Sequence, residues 1–258
     1  IYRVGFDREG GIHALDVQLY SDGGAYADLS TAIMERAMLH IDNAYYIPHL
    51  RVTGQVCRTN FHPHTAFRGF GGPKGVATVE RIIEEISHHL NKDALDVRKI
   101  NCYSDLDGCN ITHYGQTVEN NMLPELMHKL EKSCDYRNRR RAITRHNQQA
   151  LQNDGPRTLR GLSLTPVKFG ISFTTRFLNQ ANALVIVHRD GTLQVATGAT
   201  EMGQGVNARI AELVASELGL TRNDVQMMPT STDKNGNTAP TAASSGTDLN
   251  GAAALLAT

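Results

Sequence analysis

Thr65-Ala66-Phe67-Arg68-Gly69-Phe70-Gly71-Gly72-Pro73-Lys74-Gly75 runs into the spacing Val76, Val79, Ile82, Ile83, Ile86, Leu90, which predicts an amphipathic helix. The stretch packs four glycines, a proline, an arginine and two phenylalanines into eleven residues. Glycine lets a backbone turn sharply and approach a ligand, and ring side chains supply flat stacking surfaces. A loop that opens a helix also favours anions at the helix N-terminus. Two readings stand side by side. One is a flat ligand held close to the main chain; the other is a tight turn carrying two core phenylalanines, which residue types alone favour.

Outward from this loop the chain alternates strand and helix signals. Tyr2, Val4 and Phe6, a turn at Asp7-Arg8-Glu9-Gly10-Gly11, and Leu15, Val17 and Leu19 describe an antiparallel hairpin that ends at Asp22-Gly23-Gly24. Ile33, Met34, Ala37 and Met38 give a helix over 31–39 that leaves Glu35 and Arg36 on another side, where such a pair reads as a weak surface ion pair. An extended segment over 51–59 leads into the opening loop. Beyond it, Asp93 is placed as the N-cap of a helix through Ile100. Leu123, Leu126, Met127 and Leu130 mark another helix, and Arg137-Asn138-Arg139-Arg140-Arg141 reads as the solvated face of a further one.

The polar stretch ending in Asn153-Asp154-Gly155-Pro156 sets an expected boundary, with subdomains at 1–155 and 156–258. The second half repeats the order of strands, glycine-rich loop and helix. Residues 162–173 are β-rich, and 183–187 and 193–197 flank the hairpin turn His188-Arg189-Asp190-Gly191. Gly198-Ala199-Thr200-Glu201-Met202-Gly203-Gln204-Gly205 then opens a helix that Gly219 stops. After a strand over 225–227, a third polar loop over 230–246 opens a helix from Thr247. Three donor-rich loops that open helices suit one large polar or anionic cofactor.

Composition bounds the rest. The 258 residues are enough for one large or two ordinary domains, and Lys plus Arg equals Asp plus Glu at 26 each, so no global field draws the chain to nucleic acid or membrane. Cys57, Cys102, Cys109 and Cys134 form no C-x-x-C pair and are expected to be reduced. With no apolar run of spanning length and no signal-peptide layout, a cytoplasmic protein is expected. Ile1 and Thr258 both fall inside regular patterns, which suggests a fragment. The opening loop is a poor dinucleotide fingerprint, and Lys74 is followed by Gly75 where a P-loop needs Ser or Thr. His62, His64, His88 and His89 read as surface residues. Residue chemistry thus reaches an α+β protein with three donor-rich loops for a phosphate-bearing ligand.

Five stretches carry a resemblance: STAIMERAMLHIDN at 30–43, TAFRGFGGPKG at 65–75, FGISFTTRFLNQA at 169–181, TEMGQG at 200–205 and PTAASSGTD at 240–248. Together and in order they resemble a central part of the molybdopterin-binding region of the xanthine dehydrogenase family. The resemblance implies two α/β subdomains of the molybdenum-hydroxylase fold shared by aldehyde oxidases and xanthine dehydrogenases. It implies a molybdenum–molybdopterin cofactor, hydroxylation of hypoxanthine to xanthine and of xanthine to uric acid, and electron transfer to iron–sulfur clusters and FAD on other domains or subunits of a homodimer. The alternatives are an aldehyde oxidase-type hydroxylase of aldehydes or N-heterocycles, and a structural segment without cofactor.

Residue by residue, Arg36 resembles the arginine that binds a purine oxygen and stabilises its developing charge, which displaces the surface reading of that residue. Phe70 and Phe173 resemble the two rings that clamp the purine, and Thr174 a residue that contacts substrate. Arg68, Gly69 and Ala243 resemble residues lining the cofactor, Arg68 and Ala243 beside the molybdenum. Met202, Gly203, Gln204 and Ser244 resemble residues that hold the pterin. Aldehyde oxidases generally lack the arginine at the position of Arg36, so the resemblance favours a purine. Lys74 and Gly246 depart from the family's usual glutamine and serine. The family's general base has no counterpart among the matched positions, so the fragment alone is expected to be inactive.

Overall fold

The computed structural model describes residues 1–106, 108–152 and 155–258. They form two compact units, Ile1–Phe169 and Gly170–Thr258. Asn153 and Asp154, at the expected boundary, lie outside the described residues. The division at 169/170 falls later than 155/156 because Leu164 is buried with Leu95, Met127 and Tyr136, and Leu162 packs against the same cluster.

In the first unit, β1 (Tyr2–Phe6) and β2 (Ile12–Gly24) pair antiparallel, and β3 (His49–Arg58) joins β2 in parallel after the crossover through α1 (Ser30–Leu39). The turn between β1 and β2 is organised by Asp7, whose Oδ1 accepts the N–H groups of Glu9, Gly10 and Gly11 at 2.8–2.9 Å. A bulge opposite Gly5 and Phe6 inserts His13 as an extra residue, so the buried side chains of β2 step from Ile12 to Leu15 and Val17. Next comes α2 (Gly72–Leu90), which buries Val79, Ile82, Ile83 and Ile86 on this sheet, each contributing about 1.5–3 kcal/mol.

Around that core lie α3 (Ala94–Asn101), α4 (Leu123–Ser133) and α5 (Tyr136–Ala150). Asp93 caps α3 as expected, accepting the Leu95 N–H at 2.9 Å. The arginine run is exposed along most of α5, although Arg137 pairs with Asp96 and Glu131, and Arg140 with Asp93. The second unit follows the same plan. Antiparallel β4 (Ala183–Val187) and β5 (Leu193–Thr197) are followed by α6 (Val206–Glu217), parallel β6 (Val225–Met227) and α7 (Gly246–Ala257). Gly219 (φ +67°) closes α6 as predicted, with the Leu220 N–H returning to the Ala215 carbonyl.

Two sequence expectations are corrected. Residues 162–173 form no strand. Their extended backbone meets side chains instead of a partner strand: Arg140 donates to the Leu162 carbonyl, and Asn43 takes both the Pro166 carbonyl and the Lys168 N–H. The repeat is also phased differently. Since each unit runs strand, strand, helix, strand, helix, the opening loop corresponds to the 230–245 loop and not to the one containing TEMGQG. All four cysteines are free, and among the described residues no helix is long and apolar enough to cross a membrane.

Candidate functional site

In the first unit the glycine loop lies against α1. A Cβ on Gly71 would stand 2.0 Å from the Ile33 carbonyl oxygen, and one on Gly75 2.3 Å from that of Ala37. These glycines therefore serve a close backbone-to-helix approach. Gly69, Phe70 and Gly71 have φ of +99°, +52° and +98°, and a phenylalanine in this region carries about 1–3 kcal/mol of strain. Phe67 is 80% exposed and Phe70 only half-buried, so the reading of a turn with two core phenylalanines fails. The start of α2 is already satisfied: Gly72 and Lys74 donate to the Gly69 and Gly71 carbonyls, Gly75 also to Gly71, and Pro73 has no N–H. An anion there would have to displace those bonds.

Arg36 is 5% exposed, whereas Glu35 beside it is exposed, which corrects the surface ion-pair reading. Its guanidinium carbon lies 5.9 Å from the centroid of the Phe169 ring. His40 packs on the same ring at 4.8 Å and donates from Nδ1 to the Arg36 carbonyl at 2.8 Å. Burial lowers both the guanidinium and the imidazole from their ordinary values, and Arg36 remains a cation at neutral pH. Gly72 makes room for Phe169, since a Cβ there would lie 2.6 Å from the ring.

Just past α1, Asp42 is 1% exposed and faces Lys168 Nζ at 2.9 Å, the Tyr103 hydroxyl at 2.6 Å and His113 Nδ1 at 3.8 Å. Burial pushes its carboxyl up, but these neighbours outweigh it and hold the group below the usual carboxylate range. A depressed carboxylate stabilises the fold above its unfolded value, about pH 3.9, and loses that contribution as pH falls through the lower folded value. Thermal melts between about pH 5 and pH 2 should therefore show a shallower acid loss for Asp42→Asn than for the parent; equal slopes would refute this assignment.

In the second unit the three motif segments meet. Thr200 N–H donates to Thr241 Oγ1 at 2.9 Å, Ser172 N–H to the Ala243 carbonyl at 2.9 Å, and Thr230 Oγ1 to the Ala199 carbonyl at 2.7 Å. Ala243 and Ser244 are consecutive left-handed residues (φ +54° and +57°), which turns their main chain sharply before α7. Phe173 is half-buried, with its N–H and carbonyl both held by Asn179 at 2.8 Å, and Thr174 is exposed. The carboxylate of Glu201 accepts the N–H groups of Gly203, Gly205 and Asn207, filling the N-terminus of α6. Backbone donors, Gly205 foremost, hold it below the usual carboxylate range. Gln204 closes the loop by accepting from Met202 N–H and donating to the Thr200 carbonyl, which leaves the Met202 side chain 66% exposed.

Of the residues singled out in the sequence, Arg36, Arg68, Gly69 and Phe70 thus sit on or beside α1 in the first unit. Phe173, Thr174, Met202, Gly203, Gln204, Ala243 and Ser244 gather at the joined loops of the second. Lys74 is exposed in the first turn of α2. Gly246 has room for a side chain, its nearest neighbours to an added Cβ being at 3.7 and 3.9 Å. Sequence reasoning missed Asp42, Phe169 and Lys168 around the Arg36 helix of the first unit, and Asn179 and Glu201 in the loops of the second. Most lie inside the quoted motifs, so proximity in sequence was the available signal. His62, His64, His88 and His89 are exposed, and among the described residues no group of three or more His, Cys, Asp or Glu could hold a metal.

Comparison with known proteins follows this geometry. Molybdopterin cofactor-binding domain profiles match residues 1–102 and 129–258. Xanthine dehydrogenase 1 of Arabidopsis thaliana is 45% identical over 254 residues, covering 98% of this chain and 18% of that protein. The xanthine dehydrogenase of Dictyostelium discoideum is 43% identical with the same coverage. The chain therefore spans about a fifth of the length of these relatives. Quinoline 2-oxidoreductase from Pseudomonas putida 86 shares the fold, with a TM-score of 0.80 at 23% identity over 99% of this chain and 33% of that one.

Proposed function

The chain belongs to the molybdopterin cofactor-binding family, and on that premise we propose that it forms part of a xanthine dehydrogenase-type hydroxylase acting on hypoxanthine and xanthine. The observation that carries this reading is a buried guanidinium, Arg36, on the helix against which the glycine loop is packed. When bound, the molybdenum cofactor supplies the two-electron oxidation that hydroxylation of a ring carbon requires.

The residues present fit that group. The left-handed pair Ala243–Ser244 and the loop of Met202, Gly203 and Gln204 would offer main chain and amide groups for the pterin. Gln204 would trade one of its loop bonds for a cofactor contact.

The chain's own residues then bind and orient the substrate. Arg36 donates to a carbonyl oxygen borne by the purine ring and stabilises the negative charge that develops there, and burial strengthens that attraction by excluding water. Phe70 offers a ring face for stacking on a flat purine. Iron–sulfur clusters and FAD on other domains or subunits would accept the electrons, and the intact enzyme would be a homodimer.

Arg36→Met tests the reading in the cofactor-loaded enzyme. It should lower kcat/KM for xanthine by about 3 kcal/mol, roughly a hundredfold, and leave benzaldehyde turnover nearly unchanged. Undiminished xanthine turnover would sink the assignment of Arg36.

A further inference from the structure

We propose that Lys168 and Phe169 are positioning residues for the Arg36 guanidinium, held in place by a clamp that Asp42 and Asn43 extend from the end of α1. This deepens the reading of Arg36 as the substrate arginine and rests on it.

The clamp has two points. Asn43, fully buried with φ +45°, accepts the Lys168 N–H at 3.2 Å and donates to the Pro166 carbonyl at 2.9 Å. Asp42 holds the Lys168 side chain at 2.9 Å, and that ammonium also lies 5.6 and 5.4 Å from the ring centroids of Tyr103 and Tyr114. A lysine drawn in this far is anchored by charge and by two ring faces, so the backbone at Pro166 and Lys168 has little freedom. The next residue, Phe169, is thereby seated over Gly72, His40 and Arg36. A glycine at 72 is required for that seat, because any side chain would occupy the ring's place.

The consequence falls on Arg36. An arginine side chain has many rotamers, and a ring whose centroid lies 5.9 Å from the guanidinium carbon narrows them, although Phe169 itself remains 36% exposed. Charge stabilisation is strongest when the donor already points at the developing oxyanion and needs no reorganisation. Asp42 and Asn43 follow directly after the helix that carries Arg36, so one short stretch supplies both the cation and the anchor for the ring that orders it.

The test uses the cofactor-loaded enzyme with Arg36→Met, Lys168→Met, Lys168→Arg, Phe169→Ala and the double variant Arg36→Met/Phe169→Ala. Lys168→Met and Phe169→Ala should each lower kcat for xanthine about tenfold while sparing an N-heterocycle that carries no carbonyl oxygen, and Lys168→Arg should restore at least half the rate. In the double variant Phe169→Ala should add nothing to Arg36→Met. Amide exchange of the 166–169 segment should accelerate in Lys168→Met, a readout independent of turnover. Equal losses on both substrates, or full additivity with Arg36→Met, would overturn the positioning role. If Arg36→Met itself fails to separate the two substrates, the functional reading falls instead, and the exchange result still reports on the clamp.

Discussion

Glu80→Ala is expected to lower the stability of the first unit by about 3–5 kcal/mol, the cost of leaving a buried charge without its partner. The Arg98 side chain is 2% exposed, and its Nε donates to Glu80 Oε2 at 2.8 Å. The other carboxylate oxygen of Glu80 accepts from Asn43 Nδ2 at 3.0 Å and from the Tyr45 hydroxyl. Removing the carboxylate leaves Arg98 Nε and the Tyr45 hydroxyl without this acceptor and takes one of the two bonds of Asn43 Nδ2, which keeps the Pro166 carbonyl. Glu84 keeps Arg98 Nη2 at 2.6 Å, but it is 38% exposed and cannot replace the inner partner. A single unit of this size loses about 2–4 °C in Tm per kcal/mol, so thermal melts resolve the effect easily. A loss under about 1 kcal/mol would mean that the network is not desolvated. Because Asn43 loses one of the two bonds made by its Nδ2, the variant should also loosen the Lys168–Phe169 clamp.

The second large effect concerns the glycine loop. Gly71→Ala combines a left-handed backbone, about 1–3 kcal/mol for a residue with a side chain, with a Cβ that would stand only 2.0 Å from the Ile33 carbonyl oxygen. That obstacle is backbone of α1 and has no rotamer to escape into, so the loop or the helix must move. We expect a total loss above about 3 kcal/mol, with Phe70 displaced. Gly191→Ala is the control, for Gly191 has a similar φ of +85° and nothing within 4 Å of an added Cβ. The difference between the two variants in denaturant unfolding isolates the contact from the strain. Equal losses would show that only backbone conformation constrains Gly71.

The elements themselves were legible because each rests on local chemistry. The apolar stripe of α2, the Asp93 cap, the Asp190-Gly191 hairpin and the Gly219 stop all depend on residues within a few positions of one another. Residues 162–173 misled for the converse reason. Their β-rich composition matches an extended chain, but a strand also needs a partner, and here distant side chains from Arg140 and Asn43 take the backbone groups instead. Phasing of the repeat was misread since both loops are glycine-rich, and only strand pairing distinguishes which loop follows the parallel strand.

For the site, the resemblance carried by five motifs in order, and not residue types, marked the chain as molybdopterin-binding; residue types alone placed Arg36 at the surface. They could not reveal that glycines 71, 72 and 75 accommodate protein and not ligand, that Glu201 fills the end of α6, or that Arg36 is buried against Phe169. Local sequence encodes periodicity, caps and turns, which are short-range preferences. Burial, and with it the strength of a charge or the identity of its neighbour, is fixed by contacts between residues as far apart as Asp42 and Lys168, so only the tertiary structure decided how Arg36 is held.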